Sequence, residues 1–195
     1  TLPGDRQFAI KYVDRKSPVD SNWLPKKFFM QSTHTNFCAM LNIQWKKEVF
    51  ELPNGKVFER SPEGMIQFGS WMNSEFPELG SVEAYTAKEA LTDESRRLIS
   101  LVNLATIETI AKETCTHNTV ARYRSNLYIE DLVPFAEINW IGRRLRIGRI
   151  ECCVKEQIKR CSATECTWQG TRDIGFLNKL ATAFETEYCG VFLQV

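Results

Sequence analysis

Arg122–Gly148 reads RYRSNLYIEDLVPFAEINWIGRRLRIG, and both of its ends alternate. Leu127 and Ile129 share one side of an extended chain; further on, Leu145 and Ile147 face one way and Arg144 and Arg146 the other. A period of two marks a half-buried β-strand, because successive side chains point to opposite faces of a sheet. The pattern runs on through RRLRIGRIECCVK and returns in the terminal GVFLQV, in QFAIKYV, where Phe8, Ile10 and Tyr12 oppose Ala9, Lys11 and Val13, and in EVFELPNGKVFE. In the last of these Asn54-Gly55 stands between two alternating runs, which predicts a hairpin.

Three segments have helical spacing instead. LPKKFFMQSTHTNFCAML places Pro25 at a first turn and Phe29, Thr33, Phe37 and Met40 on one face. NLATIETIAKE can be capped by Asn103 and aligns Leu104, Ile107, Ile110 and Ala111. GFLNKLATAFETE aligns Phe176, Leu177, Leu180, Ala181 and Phe184. The polar stretch Glu83–Arg97 reads as a long connection. The fold class is therefore mainly β with α, an α+β chain whose three helices cover a sheet or barrel, and the default is a single domain over residues 1–195.

Composition narrows the function. Twenty-five Lys and Arg against twenty-four Asp and Glu leave a net charge of +1, so no chain-wide field draws nucleic acid or an anionic membrane. No apolar run approaches the roughly 20 residues that span a bilayer. The chain opens at Thr1 without Met and stops in what reads as a strand cut short, so native ends are read as missing and a targeting segment stays open. Seven cysteines, an odd number without a C-x-x-C pair, fit a reducing, cytoplasmic setting, and two histidines far apart, His34 and His117, argue against structural zinc. There is no G-x-G-x-x-G after a strand and no G-x-S-x-G.

That leaves cysteine as the reactive group. Cys152 and Cys153 lie within an alternating run, where an inward thiol is a small hydrophobe. In KRCSATEC, Lys159–Cys166, Cys161 stands against two cations, which favour the thiolate that attacks sulfur or binds metal. Cys166, five residues on, reads either as a resolving thiol for Cys161 or as a core residue of a strand.

Taken in order, LPGDRQFAI, WLPKKFFMQ, SLVNLATIE, RYRSNLYIEDLVPFAEINWIGRRLRIG, KRCSATEC and CGVFLQV resemble the successive blocks of MOSC-domain proteins, the family named for the C-terminal domain of molybdenum cofactor sulfurase, and are most similar to its small stand-alone bacterial type. Relatives include the mitochondrial amidoxime-reducing component and its bacterial iron-sulfur-linked counterpart. The resemblance implies a β-barrel like that of pyruvate kinase, with the chain lacking an N-terminal strand and the C-terminal strand that closes the barrel. It implies a molybdenum cofactor, with Cys161 as the catalytic residue and metal ligand or as the carrier of sulfur. Arg122, Arg124 and Asn126 of RYRSN match the positions that hold the cofactor's phosphate, joined by Arg160; Arg6, Asn103 and Thr106 match positions near the site. Glu137 and Trp140 fit a block read as architectural. The chain departs from the family in continuing Ser-Ala-Thr-Glu-Cys after the key Cys, where many relatives read Cys-x-x-Thr-x-Val or Cys-x-x-Thr-x-Asn.

Three functions follow. The first is an oxidoreductase of the amidoxime-reducing type, acting on N-hydroxylated compounds with electrons from a partner protein, since the chain has no ferredoxin-like Cys quartet. The second is a carrier that takes persulfide sulfur on Cys161, from a cysteine desulfurase, for metal-sulfur centres. The third is a noncatalytic binding barrel. Pyridoxal phosphate is not expected, because nothing resembles the lysine site of the sulfurase's desulfurase domain.

Overall fold

A computed structural model describes residues 7–16, 24–33, 44–46, 48–52, 54–87, 91, 96, 98–117, 120–167 and 171–195. The chain divides into two compact units, Thr1–Arg96 and Arg97–Val195.

In the first unit, β1 (Phe8–Tyr12) pairs antiparallel with β5 (Val82–Thr86), and β2 (Gln44–Trp45), β3 (Val49–Glu51) and β4 (Val57–Glu59) form a three-stranded antiparallel sheet. The expected hairpin joins β3 to β4, with Gly55 at φ +81°, a conformation that side chains with a Cβ resist. Helix α1 (Pro62–Glu75) begins where the Gly64 amide donates to Ser61 Oγ at 3.1 Å, and Pro62 enters its first turn. Residues 64, 68, 69 and 72 form its buried face, where Phe68 meets Phe50 edge-on at 5.2 Å. Asn73 fixes the helix to β5 by donating to the Val82 carbonyl and accepting from its amide.

Two expectations are corrected here. The helix read from Leu24 is a single 3-10 turn, Lys26–Phe28, and Phe29 is already extended at φ −115°, ψ 153°. Phe28, Phe29 and Met30 are all buried, three in succession, whereas a surface helix turns one such residue to solvent. Residues 34–41 of that segment lie outside the described residues. The connection read from Glu83 starts later, because Glu83–Thr86 belong to β5 and pair with β1.

The second unit is a five-stranded sheet curled into a half-barrel, in the order β7 (Leu127–Ile129), β6 (Ile99–Asn103), β10 (Tyr188–Gln194), β9 (Ile150–Lys159), β8 (Arg144–Ile147). All neighbours are antiparallel except β6 and β7, whose parallel pairing requires a crossover; that crossover contains α2 (Leu104–Glu113). The helix α3 (Phe176–Phe184) precedes β10. Period two sorts the sheet's two sides. Leu101, Cys152, Val154, Val191 and Leu193 make one core, while Val102 and Cys189 pack with Ile107, Ile110, Tyr123, Phe176 and Leu180 in the other. The fold is thus mainly β with α, with Cys152 buried as a small hydrophobe.

Candidate functional site

The thiol at the centre of the sequence reading is exposed. Lys159, the last residue of β9, is exposed, Arg160 is buried, and Cys161 emerges again, the alternation of a strand carried one step beyond its end. A 3-10 turn, Ser162–Glu165, follows, and Thr164 closes it by donating to the Cys161 carbonyl from its amide at 2.9 Å and from its hydroxyl at 2.5 Å. Cys161 is therefore held by its main chain with its side chain in solvent.

The flanking cations are directed elsewhere. Lys159 pairs with Glu187 at 2.9 Å, and that hydrogen bond raises its pKa. The Arg160 guanidinium points inward, with Nε donating to the Cys189 carbonyl at 2.9 Å, Nη2 to the same oxygen and Nη1 to the Tyr123 carbonyl at 3.1 Å. A bulge makes this fork fit. Between Tyr188 and Val191 the register of β10 against β9 slips, and the intervening Gly190 sits at φ +80°. A Cβ there would lie 2.6 Å from the Leu101 carbonyl oxygen and 3.2 Å from the Arg160 guanidinium, so glycine is required. Arg160 thereby ties the strand end before Cys161 to the turn Val120–Tyr123, whose next residue is Arg124.

Burial governs the two groups beneath. The Cys189 thiol is pushed up to about 12, chiefly by desolvation, and Tyr123 is raised by burial as well.

The other residues singled out by sequence separate into distinct settings. Arg124 is exposed, in a left-handed conformation at φ +48°. Arg122 is buried, its face on the Phe176 ring at 4.5 Å, and lines a cavity that does not include Cys161. Asn126 accepts from the amide and hydroxyl of Ser100 and joins β7 to β6. Asn103 caps α2 by accepting from the Ala105 amide and donates to the Val133 carbonyl. Thr106 donates to the fully buried Glu137 at 3.1 Å and accepts from the Phe135 amide at 2.7 Å. Asn103, Thr106 and Glu137 thus form an internal frame that holds the loop 131–140 on α2, and Glu137 is architectural as read. Arg6 lies outside the described residues.

Cys166 is buried and accepts from Arg172 Nη2 at 3.3 Å. A 3-10 turn rises about 2 Å per residue, which sets the Cα atoms of Cys161 and Cys166 about 10 Å apart. A disulfide needs about 4.4–6.8 Å, so Cys166 does not resolve Cys161 while the turn stands.

Residues 88–195, over half of the chain and all of the second unit, match the family model of the MOSC domain. The chain belongs to the MOSC-domain family. No curated protein matches it. A MOSC domain is associated with the molybdenum cofactor, and the matched region contains Cys161, Arg160, Arg124 and Arg122. Among the described residues no helix is long and apolar enough to cross a membrane, and no group of three or more His, Cys, Asp or Glu could hold a metal ion.

Proposed function

We propose that this MOSC domain binds the molybdenum cofactor through the Cys161 thiolate and acts as a reductase of N-hydroxylated compounds, with electrons delivered by a partner protein. The observation that carries the reading is the exposed thiol of Cys161, whose backbone is fixed from both sides, by the Arg160 fork and by Thr164. The donor set suits the group: thiolate is a soft ligand for a thiophilic metal, and Arg124, exposed on the turn that Arg160 also holds, offers a planar fork for phosphate. Bound there, the cofactor supplies two-electron redox chemistry at molybdenum. The protein's part is to fix the sulfur and the phosphate end. Arg160 positions Cys161, and Asn103, Thr106 and Asn126 keep the surrounding frame rigid.

The exposure of Cys161 also favours a second reading, a sulfur carrier. A donor persulfide, R–S–SH, would pass its outer sulfur to the Cys161 thiol, leaving R–SH and Cys161–S–SH. Such a relay needs an accessible thiol and a docking partner such as a cysteine desulfurase, and no enclosed pocket.

Molybdenum and pterin content after expression in a cell that makes the cofactor tests the first reading. Stoichiometric metal that disappears in Cys161→Ser is the expected result. No metal in either protein, with a mass increase of one sulfur on Cys161, would transfer the assignment to the carrier. Neither signal would leave a noncatalytic barrel.

A further inference from the structure

Residues 143–151, which span β8, the turn after it and the start of β9, carry four arginines against one acid, Glu151, a local charge of +3 in a chain whose net charge is +1. Arg143, Arg144, Arg146 and Arg149 are all exposed. Alternation sets the direction of two of them. Leu145, between Arg144 and Arg146, packs against the core of Leu101 and Val154, so its neighbours point to the other side of the sheet. None of the four guanidinium groups forms an ion pair or a hydrogen bond with a described residue. Arg146 stands directly across the ladder from Glu151, where a cross-strand pair would be favourable, and still no ion pair closes.

The turn adds apolar surface. Ile147 and Ile150 pair across Gly148-Arg149 and are 41% and 53% exposed, although Leu145 and Cys152, the next pair on that side, belong to the core. Blocking edge-to-edge pairing of strands takes a charge, not four beside two isoleucines. Unpaired guanidinium next to exposed aliphatic surface is instead the composition of a protein interface, where Arg is enriched and Lys depleted. Each guanidinium offers a carboxylate two parallel hydrogen bonds. Nucleic acid fits less well, because residues 143–151 include no aromatic side chain on which a base could stack. A second copy pairing through the same hairpin fits worse, since it would set arginines against arginines.

We propose that this hairpin docks an acidic segment of a partner protein, two carboxylates one residue apart meeting Arg144 and Arg146 and apolar side chains meeting Ile147 and Ile150 at the turn. Along a strand Arg144 and Arg146 lie roughly 7 Å apart, the spacing of alternate residues in an extended partner. The ten residues of β9 begin at the turn and end just before Cys161, which at about 3.3 Å per residue sets this surface roughly 30 Å from the thiol. A partner bound there leaves the thiol open, and the inference does not depend on the reading of Cys161.

The test is fluorescence anisotropy of the full chain with a labelled peptide, Glu-Ser-Glu-Ser-Ile-Ile flanked by serines, at low ionic strength. Saturable binding is expected, weakened about tenfold or more in the double variant Arg144→Gln, Arg146→Gln, about threefold or more in Ile150→Ser, and unchanged in Cys161→Ser. Rising salt should weaken it as well, because these charges are exposed. The substituted residues all face solvent, so melting temperatures should stay at the parent value, which separates lost contact from lost fold. The proposal is overturned by absence of saturable binding, by equal binding of a peptide of the same composition with its glutamates at opposite ends, or by binding that the arginine variant leaves intact. Tighter binding of a single-stranded oligonucleotide, or of phosphatidylcholine vesicles containing phosphatidylserine, would also overturn it and assign the hairpin to nucleic acid or to a membrane surface. Molybdenum and persulfide content are read separately, so failure here and failure at Cys161 are distinguishable.

Discussion

Arg160→Met separates a residue that positions the thiol from one that touches a ligand. Methionine keeps an apolar stem against Tyr123, whose ring lies 5.2 Å from the guanidinium, and removes every donor. Two carbonyls in a buried setting, Tyr123 and Cys189, then lose their Arg160 donors. Each such orphan costs about 1–3 kcal/mol, and the lost cation–π contact about 1 more. Relief of the buried guanidinium's own desolvation offsets part of this. The net is about 3 kcal/mol, a large share of a typical stability of about 5–15 kcal/mol. Urea unfolding followed by tryptophan fluorescence should show the midpoint fall by about 1–3 M, given slopes of about 1–3 kcal/mol/M. Arg160→Lys should fall between, since an ammonium cannot span both oxygens in a fork. A methionine variant within about 1 kcal/mol of the parent, yet devoid of cofactor, would refute the reasoning and make Arg160 a ligand-binding residue.

Gly190→Ala should destabilise the second unit by several kcal/mol, because its φ of +80° and its approach to the Leu101 carbonyl are both closed to a Cβ; a melting temperature within a degree or two of the parent would contradict this. Stability should also fall at high pH. In the fold Cys189 keeps its proton until about 12, whereas the unfolded thiol loses it near 9.0, so the native state binds more protons across that window and is weakened as pH rises through it. The slope is about 1.4 kcal/mol per pH unit, joined at higher pH by Tyr123, whose pKa is likewise raised. Cys189→Ala should remove the thiol's share, and an unchanged slope in denaturant titrations between pH 8 and 11 would count against it.

Strands were readable where burial alternates along them, as in β3, β4 and β7, since period two records that asymmetry directly. Helix α2 was readable from Asn103 and its periodic face. Helix α1 escaped, although Ser61-Pro62-Glu63 is a legible start and residues 64, 68 and 72 repeat every fourth position; two glycines on its buried face dilute the apolar signal. At the site, the ordered blocks marked Cys161, but they could not tell that Arg122 turns inward, that Arg124 stays outside, or that Arg160 serves two carbonyls. The last of these depends on a bulge in a strand about thirty residues away in sequence. Its only written trace is Cys-Gly at the head of an apolar run, a sign of close backbone approach.

Strand order has a consequence for biosynthesis. β10 follows every other strand of its sheet along the chain, yet it lies between β6 and β9. A ribosome therefore delivers α2 and the β8–β9 hairpin while the central slot is empty, leaving an inner edge of both β6 and β9 without a neighbour and Leu101 and Val154 without Val191 and Leu193. Until β10 arrives, the nascent chain carries two sticky edges and half a core, the condition in which holding chaperones are most needed. A nonsense mutation upstream of Tyr188 would thus yield an aggregating fragment rather than a shortened domain.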